Sequence, residues 1–467
     1  MATPPITLLH LSDTQFGRHH RFDNDRFGNH RFGNLQSTDP DEAFDTLLSR
    51  LTDDLRDLRK DHGLQPQAVL LTGDLAECGM EDEFANMLQF ATGLAEALAI
   101  PRRHFAIIAG NHDINWHLCE AYFKNCTARR KEPLKPYWEK WEFYAQFFQD
   151  FYQDEPHISF TAETPWTLFA MPELKLVVAG LNSTMAESHQ EKDHYGHLGE
   201  PQLRWFQEQL QQYQQQGWFR IAALHHNLRR GPIQDDENLR DFEDFKKYLG
   251  SLVNLVVHGH THDGKADWLS NTVPILATGS AAVKVPQRPE ETPNQYQIIQ
   301  LGPDYYQRWT RSYYPKDKAW GGDNRATDKL DGWHKKVNVS FADIQAVFSQ
   351  NPTDIPKTPA SADLPEAELQ RYCAALENLH RAIPLAGFKT RLRVPIDLEA
   401  LYVPLSASVD LRGTGASAFA DADEACAALA AHGLAQDIKL IDAFKAAQAR
   451  QRRHCVLLGD PGAGKTT

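Results

Sequence analysis

At 467 residues the chain is longer than one hydrophobic core commonly serves, so two or more domains are expected. Its composition, 42% hydrophobic and 24% charged, is that of an ordinary globular protein, and a net charge of −13 argues against a broadly basic surface that coats nucleic acid. No apolar stretch is long enough to span a bilayer, no basic-then-apolar leader opens the chain, and the six cysteines show no CxxC pairing. A cytoplasmic protein with reduced thiols and no membrane partner is the expectation.

In chain order, Ile6 to Ser12 is a strand-like apolar run that breaks at Asp13-Thr14-Gln15. A polar loop from Gly17 to Asn34 follows and carries Arg-Phe-Gly-Asn twice, at 26–29 and 31–34. It reads as a solvated surface loop or, given His19, His20 and its arginines, as one that touches substrate. Phe44, Leu47, Leu48, Leu51, Leu55 and Leu58 recur at helical spacing, with Gly63 as a stop signal. Ala68 to Thr72 is a second strand, ending in Gly73-Asp74, and a helical pattern from Glu83 to Leu98 leads to a third. That third run, Ile107-Ile108-Ala109, breaks at Gly110-Asn111-His112-Asp113. The alternation β-α-β-α-β predicts a parallel sheet.

Residues 115–160 are rich in aromatic side chains, which predicts a helical insertion with an aromatic core rather than a base-stacking platform. Leu174 to Gly180 is again strand-like, and Pro201 opens a helix over Gln202 to Gln214. Arg220 to Leu224 delivers His225-His226, and Leu252 to Val257 delivers His258-Gly259-His260-Thr261-His262. Runs near 273–278, 295–301 and 305–314 alternate apolar and polar residues and predict the antiparallel second sheet of a two-layer sandwich. The domain divisions expected are 1–315, a linker over 316–364, a mostly helical connector over 365–450 with an extended piece at 398–405, and a phosphate-loop start over 451–467.

That last segment runs Gly459-Asp460-Pro461-Gly462-Ala463-Gly464-Lys465-Thr466 directly after the apolar Cys455 to Leu458. The spacing matches GxxxxGK[ST], whose glycines let consecutive N–H groups wrap a phosphate. Lys465 would reach the β/γ oxygens and the Thr466 hydroxyl a Mg²⁺ ion. ATP and Mg²⁺ would bind only with the remainder of an NTPase domain, which is expected to continue beyond Thr467.

Five strand ends thus bring Asp, Asn or His toward one rim, where ligands collect in α/β folds. Asp13, Asp74, Asn111, His225, His260 and His262 form an oxygen and imidazole set without thiolates, which suits catalytic Mn²⁺, Fe or Zn²⁺ over structural zinc. A carboxylate such as Asp74 can bridge two ions that activate water and neutralise phosphate oxygens. His112, one residue past Asn111, can face substrate and protonate the leaving oxygen, with Asp113 fixing its orientation.

With these motifs in place, the chain resembles the calcineurin-like metallophosphoesterases over about residues 5–315. The residues that carry the resemblance are Asp13-Thr14-Gln15, Gly73-Asp74, Gly110-Asn111-His112-Asp113, His225 and Gly259-His260-Thr261-His262. The resemblance implies an α/β fold: a two-sheet β-sandwich flanked by helices. It also implies two divalent ions, one held by Asp13, position 15, Asp74 and His262, the other by Asp74, Asn111, His225 and His260. Gln15 departs from the usual histidine; its neutral carbonyl is a weaker donor suited to Mn²⁺ or Mg²⁺, supplemented by His19 or His20, or leaves a single-metal or silent site. The terminal segment, with Leu401-Tyr402-Val403-Pro404-Leu405 before the phosphate loop, resembles the lead-in to a NACHT-type STAND NTPase. Together they imply a nuclease-like phosphodiesterase effector in a bacterial defence-type protein that forms homo-oligomers through its NTPase region. A small-molecule cyclic-nucleotide phosphodiesterase and a catalytically silent regulatory module are the alternatives.

Overall fold

The computed structural model describes residues 5–22, 46–228 and 238–285, most of 287–347, and four short strands beyond. The chain divides into two compact units, Met1–Pro356 and Lys357–Thr467. Among the described residues no helix is long and apolar enough to cross a membrane.

The first unit holds two mixed sheets. One is built on the parallel strands β1 (Ile6–Leu11), β2 (Ala68–Thr72) and β3 (Phe105–Ile108). Helices α1 (Leu47–His62) and α2 (Glu81–Leu98) make the crossovers between them. Local chemistry sets the limits of α1. Thr46 and Ser49 form a reciprocal capping box, and Gly63 ends the helix at φ +67°, a left-handed conformation that costs glycine nothing. Helices α3 (Trp116–Ala128) and α4 (Glu142–Phe151) follow β3 as the expected insertion. About half of its rings are core: Trp141, Tyr144, Phe147, Phe148, Phe151 and Tyr152 are buried in the cluster shared by the two sheets.

The second sheet has the order β4-β5-β6-β7-β9-β8. Its strands are β4 (Thr167–Met171), β5 (Leu176–Gly180), β6 (Phe219–Ala223), β7 (Leu255–His258), β8 (Ala266–Ser270) and β9 (Val273–Ala277). Helix α5 (Glu200–Gln215) joins β5 to β6, and α6 (Phe242–Leu249) precedes β7. The pleat sorts its residues by face. Leu176, Val178, Ile221, Leu255 and Val257 point into the core between the sheets. Val177, Ala179, Ala222 and Val256 pack on Leu203, Phe206 and Leu210 of α5 and Phe245 and Leu249 of α6.

Three expectations are corrected here. The strands β10 (Gln295–Leu301) and β11 (Tyr305–Tyr314) do not build the second sheet; β10 pairs antiparallel with β1 and extends the first, while β9 joins β7 in parallel. Alternation reports one polar face and cannot name the partner strand. The boundary expected at 315 also falls inside the sheet, because β12 (Ala319–Gly322) and β13 (His334–Asn338) both pair with β11. Gly321-Gly322 reads as linker but is strand, paired with Ser312 and Arg311 of β11, and the preceding Trp320 ring is buried against Tyr296 and Tyr313. In the second unit the described residues are four strands, Ala382–Pro384 with Pro395–Asp397 and Ser406–Asp410 with Ala435–Lys439. Residues 435–439, expected in a helix, are therefore extended, through a ladder to residues 25 or more positions away that a local pattern does not reveal.

One charge sits on the apolar stripe of α1. Asp54 is buried, accepts a hydrogen bond from the Tyr296 hydroxyl and pairs through both oxygens with the buried guanidinium of Arg311. Asp54→Ala would strand that guanidinium, and a loss of about 3–5 kcal/mol is expected, read as a fall in the urea unfolding midpoint. Arg311→Met together with Asp54→Leu should recover most of it.

Candidate metal centre

The predicted strand ends do converge. Asp13 follows β1, Asp74 follows β2, Asn111 follows β3, His225 follows β6, and His260 and His262 follow β7. Backbone hydrogen bonds stitch the first two turns together, Asp13 N–H donating to Gly73 O (3.0 Å) and Gln15 N–H to Asp74 O (2.9 Å). Close approach at this rim requires glycine: a Cβ on Gly73 would stand 2.6 Å from His225 Nδ1, and one on Gly259 would overlap the Ser12 side chain.

Two clusters share Asp74. Asp74, His225 and His260 bring ligand atoms within 4.8 Å of one another, and so do Asp13, Asp74 and His262. Asp74 Oδ1 lies 3.2 Å from His225 Nε2, and Asp13 Oδ1 lies 3.0 Å from His262 Nε2. Asp13 Oδ1 and Asn111 Oδ1 are nevertheless buried without an aligned hydrogen-bond donor. Buried orphan acceptors are costly unless something else satisfies them, and a divalent cation would. The backbone adds a second sign. Asp13, Gln15, Asp74, His260 and His262 all adopt positive φ, between +39° and +66°, five of the eleven such non-glycine residues among those described. Strain concentrated on the ligand-bearing turns marks a functional site.

Charge follows the same geometry. Burial alone would raise the Asp74 carboxyl, but the His225 and His112 rings hold it well below its usual range. Burial likewise opposes a charged His225, yet Asp74 and Asp13 lift its pKa to about 10. The ion-free centre is thus an imidazolium–carboxylate network, and cation uptake must displace its proton.

The supports behind the ligands were not legible in the sequence. His225 Nδ1 donates to Thr72 O (2.7 Å), which fixes Nε2 toward Asp74. Thr72 is gripped in turn by the Ser12 hydroxyl (2.9 Å, to its carbonyl) and by His10 Nε2 (2.9 Å, at its hydroxyl). Gln297 holds His10 Nδ1 at 2.7 Å, and Arg308 donates to Gln297. On the other side, His226 Nδ1 meets the Ser183 hydroxyl (2.8 Å), its Nε2 lies 3.1 Å from Glu187 Oε1, and its ring packs against His260. The adjacency of His226 to His225 was the one available clue; nothing marks Glu187.

His112 sits where a proton donor is wanted. Its N–H donates to Asp74 Oδ1 (2.9 Å) and its Nδ1 faces Glu77 O (2.7 Å), leaving Nε2 without a partner among the described residues. Burial disfavours its charged form, but Asp74 and the Glu77 carbonyl outweigh this and raise its pKa. Asp113 does not hold that ring, contrary to expectation. Its carboxylate accepts from Leu75 N, Ala76 N and Gly110 N, each at 2.8 Å, and so braces the two turns. A side chain next in sequence on a 3₁₀ turn points away from its neighbour, so the orienting acceptor is the Glu77 carbonyl instead.

Gln15 lies in the centre with its Nε2 3.5 Å from Asp74 Oδ2, and the reverse amide orientation would turn Oε1 toward a cation. Neither neighbouring histidine supplements it. His20 stacks on Phe16 with Nδ1 on Thr14 O, while His19 clamps the Glu77 carboxylate. Gln15→His is expected to tighten the weaker ion roughly tenfold, measured by titration calorimetry with Mn²⁺. The phosphate-loop residues Gly459, Gly462, Gly464, Lys465 and Thr466 lie outside the described residues, as does most of the 17–34 loop.

Two facing mixed sheets with carboxylate, amide and imidazole donors gathered at one rim define a dimetal hydrolase. The calcineurin-like phosphoesterase profile matches residues 6–264, and the chain belongs to that family of metal-dependent phosphoesterases. Among solved structures the chain is similar to a dimetal phosphatase from Danio rerio, at 14% identity and a TM-score of 0.40, over 66% of this chain and 96% of that one. It is also similar to PhoD, at 12% identity and 0.38, over 67% of each. A predicted phosphoesterase from Streptococcus pneumoniae gives 12% identity and 0.28, over 72% and 98%. No curated protein matches the chain.

Proposed function

We propose that this chain is a phosphodiesterase acting on a nucleic-acid or nucleotide diester, with Mn²⁺ as its preferred ion, and that it serves as the effector of a STAND-type NTPase in bacterial defence. The observation that carries the phosphoesterase reading is His112, oriented through Nδ1 with Nε2 left to face a ligand; the choice of a diester follows from the effector role inferred from the phosphate loop. A phosphate ester of an alcohol expels an alkoxide, a poor leaving group unless it is protonated as it departs. Asp13, Gln15, Asp74 and His262 would hold one ion, and Asp74, Asn111, His225 and His260 the other. When bound, such a pair supplies a nucleophile from water and Lewis-acid neutralisation of the phosphate oxygens. Thr72 and the Glu187–His226 pair keep the imidazoles aimed, and Asp113 holds the turns that carry Asp74 and Asn111. Support for the effector role, and for assembly into homo-oligomers, is the Gly459 to Thr466 phosphate loop in the sequence.

The test compares hydrolysis of bis-p-nitrophenyl phosphate with that of p-nitrophenyl phosphate in Mn²⁺. A several-fold preference for the diester is expected. Preference for the monoester would reject the reading, and a protein that binds no Mn²⁺ would be a silent module. The charge of −13 favours small cyclic nucleotides as the rival substrate, so they belong beside DNA and RNA in the screen that follows.

A further inference from the structure

The rings of the aromatic insertion are buried or half-buried, with one exposed exception. Trp116, the first residue of α3, is 45% exposed. One face of its indole stacks on the imidazole of His194, the centroids 4.6 Å apart and the planes 21° from parallel. Both rings hang from segments that touch the metal centre. Trp116 follows Asn115, whose amide donates to Gly79 O (3.1 Å) in the turn whose Glu77 carbonyl holds His112. His194 is tied through Nε2 to Ser188 O (3.2 Å), next to Glu187 and its contact with His226. Beyond His194, the Arg240 guanidinium lies 3.5 Å over the Tyr195 ring and supplies a cation on the same segment.

Tryptophan is enriched where a ring meets a binding partner, because it joins a large apolar face to a polar tip. This one is pre-oriented by His194 and anchored four residues from His112. From the scissile phosphate a nucleobase reaches outward by one sugar, so a platform for it belongs on an element that follows the proton donor directly, as the start of α3 follows the Asn111–Asp113 turn. We infer that Trp116, backed by His194, is a stacking platform for the nucleobase attached to the scissile phosphodiester. The inference rests on the phosphodiesterase reading and makes Trp116 a determinant of specificity for nucleosidic over simple diesters.

The experiment measures kcat/KM for thymidine 5′-p-nitrophenyl phosphate and for methyl p-nitrophenyl phosphate in wild type, W116A and W116F. The thymidine-to-methyl ratio should fall about tenfold in W116A and recover largely in W116F, since base stacking on an aromatic ring is worth that much and more. A ratio unchanged in W116A overturns the platform. Single-stranded oligothymidylate tells the source: a loss shared with it assigns the platform to a base within a strand, and one confined to the thymidine ester to a free nucleotide. Failure of wild type to cleave any diester would instead strike the phosphodiesterase reading. Binding then decides, because thymidine monophosphate stacked on Trp116 quenches tryptophan fluorescence in wild type and not in W116F. Equal quenching in the two overturns the inference.

Discussion

Asp74→Asn is expected to lower kcat for bis-p-nitrophenyl phosphate by about three orders of magnitude, as befits the loss of roughly 4 kcal/mol of charge stabilisation in the transition state. Asp74 is common to both clusters, so one substitution weakens both ions. The change removes charge while keeping size and an oxygen to accept the His112 N–H, so the turn it supports should survive. Metal analysis of the dialysed variant should find fewer than the two equivalents of wild type. Wild-type turnover with two bound equivalents would remove Asp74 from the centre.

His112→Ala should leave the ions in place and still cost about 10²–10⁴ in kcat for a diester with an alcohol leaving group. The dependence on leaving group is the diagnostic. Its Nε2 is the unpartnered nitrogen, and a proton matters most where the departing oxygen is most basic. With p-nitrophenolate, a stable anion, the loss should therefore be tenfold or more smaller than with a deoxyribose oxygen. Equal losses on both substrates would make His112 a binding group and not an acid. In the ion-free protein Asp74 and the Glu77 carbonyl raise its pKa, and the Glu77 hydrogen bond, which favours the protonated ring, does not depend on Asp74. Activity that depends on the protonated ring should decline on the alkaline limb of the pH profile, a limb that His112→Ala should lack.

The sequence made the rim legible because each ligand sits at a break in an apolar run, and such breaks survive whatever the strands pair with. Asp13, Asp74, Asn111, His225, His260 and His262 all fell on such breaks, and the two carboxylates and three imidazoles among them converge. What stayed hidden was long-range partnership. β10 looks the same whether it lies beside β9 or β1, and only its register with β1, Ile6 opposite Leu301, places it in the first sheet. Asp113 looked like a partner for the imidazole beside it, yet three backbone donors from other turns claim its carboxylate. Trp116 could not be told from its buried neighbours by type; only its exposure separates it.

The two sheets contribute to the centre unequally and from opposite sides. Asp13, Gln15, Asp74 and Asn111 come from the first, and His225, His260 and His262 from the second. An ion bound by both halves is a reversible cross-link that adds to the apolar packing and the few polar contacts, such as His225 Nδ1 to Thr72 O, that already join the layers. Folding lifetime then becomes a function of free metal: at a hundred times the dissociation constant each ion adds about 2.7 kcal/mol of stability, and under chelation that margin disappears. A cell that withholds the divalent metal would not only switch such an enzyme off but hasten its clearance by proteases, coupling the abundance of the protein to the supply of its ion.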